Sequence, residues 1–120
     1  MRFWITLSAV FIIDQVSKAW IARRFFLGES HTLVDGCLWL TYIRNPGASF
    51  GMLQGQTWLF LGLAMVMVLA LVCYQVKYQP EPWLQYTLGL MAGGTLGNML
   101  DRLRYRAVQD FIDLGWWPVF

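Results

Sequence analysis

Hydrophobic positions dominate three long stretches of this chain, and the segments between them change to a different rhythm. Thr57–Val76 is twenty residues without a charge, and Phe3–Ile21 carries only the charges of Asp14 and Lys18. At about 1.5 Å rise per residue, each covers roughly 30 Å, the thickness of a bilayer's hydrocarbon layer. The pattern predicts helical spans over about Phe3–Arg23, Thr57–Val76 and Trp83–Leu100. Between Gly28 and Gln56 the helical pattern vanishes. There Thr32–Val34, Asp35-Gly36 and Cys37–Arg44 read as a short strand, a two-residue turn and a longer strand. A sheet with open edges cannot face lipid, so this hairpin is expected at the membrane surface. Gln79-Pro80-Glu81-Pro82 is a tight turn, because two prolines two apart cannot continue a helix. Ala107–Leu114 returns to an extended pattern, and Trp116-Trp117-Pro118 resembles an interfacial aromatic belt.

Composition agrees with the pattern and narrows the class. Of 120 residues, 58% are hydrophobic and only 13% charged, too few to coat a soluble domain of this size. The expected fold is an all-α membrane protein, a transmembrane helix bundle. It forms one integral domain over 1–120, with surface β elements at about 30–50 and 107–114. Met1-Arg2 followed by Phe3–Ile13 begins like a signal peptide. Asp14 and Lys18 then interrupt the run and no small-x-small cleavage site closes it, so a retained first span is expected. A net charge of +2 on scattered basic residues gives no nucleic-acid footprint. Cys37 and Cys73 make no disulfide framework and are expected as small apolar packing residues.

The polar residues inside or beside the spans are the candidates for chemistry. Asp14 and Lys18 lie four apart on one helical face, acid first. A charge inside a membrane must be paired or face a polar cavity, so the pair either locks the first helix or supports a site at its outer end. Asn45-Pro46-Gly47 reads as turn chemistry, or as an amide presented to a substrate backbone. Gly89, Gly93 and Gly97 recur every four residues, a stripe that lets another helix approach closely. Asn98, Asp101 and Arg102 follow on one face, either as a helix-end ion pair of Asp101 with Arg102 or as site residues. Asp110 and Asp113 are acids set among apolar residues. If Asp110 is half-buried, desolvation raises its pKa and suits it to share a proton with a second carboxylate. The chain has one histidine, no Gly-x-Ser-x-Gly elbow, no phosphate-binding loop and no metal-ligand spacing, so no metal or cofactor is expected.

Four blocks in order then resemble the motifs of the lipoprotein signal peptidase family. They are Asp14-Gln15-Val16-Ser17-Lys18, Asn45-Pro46-Gly47-Ala48-Ser49-Phe50, Gly93 through Arg102, and Val108-Gln109-Asp110-Phe111-Ile112-Asp113. The resemblance implies a membrane aspartic peptidase (signal peptidase II). Such an enzyme cleaves diacylglyceryl-modified prolipoproteins on the N-terminal side of the lipid-bearing cysteine, at the outer face of the bacterial cytoplasmic (inner) membrane. Its partners are that substrate and the membrane lipids, with no nucleic acid. Asp110 matches one member of the catalytic dyad. Asp14, Lys18, Asn45, Gly47, Asn98, Asp101 and Arg102 fall in the motifs that surround it. The resemblance also implies that a stretch like Trp116–Phe120 leads into Asn-x-Ala-Asp, bearing the second acid, and then a fourth span. Phe120 is the last residue here, so a fragment inactive as it stands is expected, with a catalytically dead membrane scaffold as the alternative. A small transporter subunit would need polar residues along Thr57–Val76, which are almost absent.

Orientation is contested by the sequence itself. With the N-terminus inside, Arg2 and Lys77 are the inner cations, while Arg23, Arg24, Arg44, Arg102, Arg104 and Arg106 lie outside, against the positive-inside rule. The resemblance implies the N-terminus inside, and that orientation is the expectation.

Overall fold

The computed structural model describes all 120 residues. In chain order it contains α1 (Arg2–Arg24), β1 (Ser30–Val34), β2 (Leu38–Asn45), a short 3₁₀ turn (Ser49–Gly51), α2 (Thr57–Tyr78), α3 (Pro82–Tyr105) and β3 (Val108–Asp113). Arg23 and Arg24 occupy the last turn of α1, where cations complement the negative end of the helix dipole. At the end of α2, Gln79 takes the left-handed conformation at φ 42°, and Pro80 and Pro82 follow, Pro82 opening α3 as its first residue. The third helix continues five residues past the predicted Leu100. Charged residues at 101 and 102 end the apolar stretch, but they do not end the helix, since Leu103 and Arg104 favour it as well. It stops at Arg106, left-handed at φ 56°, whose carbonyl accepts a hydrogen bond from Thr57 Oγ1 at 3.3 Å. That bond ties the end of α3 to the start of α2.

α3 is the central helix, with α1 packed on one side and α2 on the other. The glycine stripe makes the first contact possible. A Cβ on Gly89 would lie 2.8 Å from the carbonyl oxygen of Phe3, and one on Gly93 2.6 Å from that of Leu7. At Gly97 the Asp14 carboxylate fills the space a side chain would need. Phe3, Leu88 and Ala92 form the buried apolar cluster, flanked by Leu7, Leu71, Val72 and Leu84. Only 17 of 120 residues are buried, while Ile5, Ile12, Ile13, Val66 and Leu69 are open. Outward apolar faces of that kind suit a lipid solvent. Two helices, α1 and α2, are long and apolar enough to cross a membrane.

The strands form one antiparallel sheet in the order β1-β2-β3. The hairpin is present, but its connection is three residues, Asp35–Cys37, with Val34 paired to Leu38. Cys37 therefore sits in the turn, its N–H bonded to the Val34 carbonyl at 3.0 Å, and not in the strand. Neither cysteine packs as expected: both are free and exposed, Cys37 on the turn and Cys73 on the outer side of α2. The predicted extended segment after α3 is β3, and its pairing with β2 sets Ile43 opposite Asp110 and Asn45 opposite Val108. The 46–50 end of the surface β element is instead loop and 3₁₀ turn.

Candidate active site

Each wall of the cavity at the sheet end of the bundle comes from a different element. Its volume is about 180 Å³. Strand β3 contributes Val108 and Asp110, α3 contributes Asn98 and Arg102, and β2 with the loop after it contributes Asn45, Gly47, Ala48 and Ser49. Trp117 through Phe120 close the remaining side. Five of the residues singled out in the sequence thus meet in one place, although 65 residues separate Asn45 from Asp110 in the numbering.

The loop wall is held by local chemistry. The Asn45 Nδ2 donates to the Ala48 carbonyl at 2.9 Å, and its Oδ1 accepts from the Gly47 N–H at 2.9 Å. Turn formation is therefore the first job of Asn45, as a short amide side chain does best. Gly47 is buried, and a Cβ there would run into the Met52 carbonyl, so only glycine fits. On the helix wall, the Arg102 guanidinium stacks over the Phe60 ring at 4.8 Å, which fixes the cation above α2.

Asp110 is the group whose charge state the fold changes. Burial, with a smaller push from Asp101, outweighs the pull of Lys18, Asn45 and Arg102, and leaves its carboxyl raised from the ordinary 3.8 to about 6. A carboxyl at that position exchanges protons near neutral pH, as proton-transfer catalysis requires.

Asp14, Lys18 and Asp101 do not line the cavity; they form an ionic cluster behind it. Lys18 Nζ lies 3.0 Å from Asp14 Oδ2 and 2.7 Å from Asp101 Oδ2, and it donates to Asn98 Oδ1 at 3.1 Å. The expected Asp14–Lys18 pair exists, but the shorter bridge crosses from α1 to α3. The alternative pairing of Asp101 with Arg102 is not formed. Asp101 turns inward to Lys18, at 1% exposure, while Arg102 turns to the cavity. Sequence reasoning missed two members of this cluster. Gln15 Nε2 reaches Asp14 Oδ2 at 3.0 Å, the Gly97 carbonyl at 3.2 Å and Asp101 Oδ1 at 3.3 Å. The backbone N–H of Gln109, next to Asp110, donates to Asp101 Oδ2 at 3.2 Å. Gln15 was visible as a polar residue within a span; the Gln109 contact depends on tertiary folding. Asp113 lies away from the cavity, accepting from Thr41 Oγ1 and from the Gly115 N–H, each at 2.8 Å.

The same fold occurs in solved proteins. A structure described as a bacterial membrane enzyme solved by the in meso method at 2.3 Å superposes with a TM-score of 0.93 at 32% identity, over 98% of this chain and 75% of the other. A second bacterial membrane enzyme structure, at 1.9 Å, gives 0.88 at 32% identity, over 98% and 79%. The fold is therefore that of a bacterial membrane enzyme. The signal peptidase (SPase) II family model matches residues 6–120. The lipoprotein signal peptidase of Syntrophomonas wolfei is 48% identical over 120 residues, all of this chain and 80% of that protein. That of Desulfitobacterium hafniense is 42% identical over 119 residues, 98% and 79%. The chain belongs to the signal peptidase II family.

Proposed function

We propose that this chain carries most of a membrane aspartic endopeptidase that removes signal peptides from diacylglyceryl-modified prolipoproteins, with Asp110 as one of two reacting carboxylates. The observation that carries the reading is a single half-buried acid, pushed up to about 6, facing a cavity whose other polar lining is Asn45, Ser49, Asn98 and Arg102. In this reading α3 is the third span. The site lies at the outer face of the bacterial cytoplasmic membrane, where the apolar signal segment can remain in lipid while its scissile bond enters the cavity.

Hydrolysis by carboxylates needs two of them. One takes a proton from water as the oxygen attacks the carbonyl carbon, and the other donates a proton to the carbonyl oxygen. The remaining aspartates of these 120 residues are engaged or distant. Asp14 and Asp101 are held by Lys18, Asp113 is held by Thr41 and Gly115, and Asp35 is exposed in the hairpin turn. The partner is then the aspartate of an Asn-x-Ala-Asp block following the stretch like Trp116–Phe120. Support comes from Phe120, whose N–H and carbonyl bond to Ile112 of β3, so a continuation starts from the cavity wall.

The test is conversion of a lipid-modified prolipoprotein to its mature form by purified, reconstituted protein. The 120-residue chain alone is expected to be inactive, because loss of one positioned acid–base group costs typically ~10²–10⁴ in rate. A chain extended by the block and a fourth span is expected to cleave. In it Asp110→Asn abolishes turnover, because an amide cannot carry the proton, whereas Asp113→Asn has little effect. Cleavage by the unextended chain, or by the extended Asp110→Asn protein, shows that other carboxylates react. An extended chain that folds, binds substrate and never cleaves favours the scaffold reading.

A further inference from the structure

We infer that Lys18 and Asp101 are positioning residues for Asp110: together they anchor the strand that bears it and set opposite charges beside it. The inference rests on the reading of Asp110 given above. The observation is a single chain of contacts across three elements. Lys18 of α1 bridges to Asp101 of α3 at 2.7 Å, and the same Asp101 oxygen accepts the Gln109 N–H of β3 at 3.2 Å. Lys18 also donates to Asn98, which lines the cavity. Both charged residues are almost fully buried, Lys18 at 5% and Asp101 at 1% exposure. A structural lock between two helices does not require that its acid also capture a strand's backbone immediately before the reacting residue.

The charges decide what such an anchor does. One lysine serves two carboxylates, Asp14 and Asp101, and of these it is Asp101 that also holds the strand bearing Asp110. At Asp110 the attraction of Lys18 is larger than the repulsion of Asp101, and burial is the largest influence opposing its ionisation. The charged groups acting on Asp110 from the packed elements are Lys18 on α1 and Asp101 and Arg102 on α3; from β2 comes the uncharged amide of Asn45. Lys18 and Arg102 favour the ionised form, while Asp101 opposes it. Removing Lys18 and removing the charge of Asp101 must therefore act on Asp110 in opposite directions. Loss of a purely mechanical support would act in the same direction for both.

The carboxyl carbon of Asp110 reports this without any turnover, so the result does not depend on the peptidase reading. With ¹³C-labelled aspartate and the protein in detergent micelles, the Asp110 signal is identified by its absence in Asp110→Asn. Lys18→Met is expected to raise its titration midpoint by roughly one pH unit, the usual effect of a lost neighbouring opposite charge. Asp101→Asn keeps an oxygen for the Gln109 N–H and is expected to lower the midpoint. Lys18→Arg leaves it nearly unchanged. If Lys18→Met does not fold, Asp101→Asn decides alone: a lower midpoint supports the inference, and an unchanged or higher one overturns it. Midpoints that shift in the same direction for both variants, or in neither, overturn it too. In the extended chain, the acid limb of the kcat profile should follow the same two directions with KM little changed.

Discussion

Replacing Gly93 and Gly94 by alanine, one at a time, separates the packing of α1 on α3 from every other property of the helix. A Cβ on Gly93 meets the Leu7 carbonyl oxygen at 2.6 Å and Val10 Cβ at 2.9 Å, whereas one on Gly94 meets nothing within 4 Å. Contacts of Cβ below 3.0 Å are essentially never seen, so α1 must retreat by about 0.4 Å at Gly93. The first obstacle is backbone and has no rotamer to adopt. Overpacking of this kind costs about 1–3 kcal/mol. Alanine also gains roughly 1 kcal/mol over glycine in a helix, and this applies equally to both positions. The difference between the two variants therefore isolates the steric cost. Gly93→Ala should be less stable than Gly94→Ala by about 2 kcal/mol, with Gly94→Ala at least as stable as the parent. Reversible unfolding in mixed micelles by added dodecyl sulfate, followed by helical circular dichroism, measures both. Equal stability of the two variants would refute a close α1–α3 contact along the glycine stripe.

Three further outcomes follow from the cluster, the cavity and the bundle's polarity. The folded-state pKa of Asp110 is raised, so its stabilising contribution is present while it is protonated, below about 4, and is lost as pH rises through about 6. Asp110→Asn stays neutral and should gain melting temperature over the parent at pH 8 but not at pH 4; a gain identical at both pH values counts against burial as the cause. Lys18→Met strands Asp14 and Asp101 without a counter-charge and should cost about 3–5 kcal/mol, seen as loss of folded protein in membranes. Normal accumulation of the extended Lys18→Met chain with complete loss of cleavage would contradict a structural role. With Cys37 and Cys73 replaced by serine, single cysteines at Glu29 and Gln79 test orientation. A thiol reagent confined to the outer face should reach position 29 only, and labelling at 79 alone would reverse the assignment.

Local pattern was enough for the elements and for most of the candidate residues. Unbroken apolar runs fix helices, because a backbone in lipid must satisfy its own hydrogen bonds, and that constraint is readable residue by residue. The glycine spacing announced a close helix contact for the same reason: an i, i+4 repeat defines a face whatever packs on it. The four polar blocks single out Asp110, Asn45, Asn98 and Arg102, which the fold gathers around one cavity. The sequence could not decide partners. Asp14 and Lys18 four apart suggest a private pair. Only the approach of α1 to α3 along the stripe brings Asp101 within 2.7 Å of that lysine and turns it away from Arg102. The pairing of β3 with β2, and with it the placing of Asp110 across from Ile43, joins segments more than sixty residues apart. The raised pKa of Asp110 is likewise a property of the assembled cavity, since desolvation depends on everything that surrounds a carboxyl and not on its neighbours in the chain.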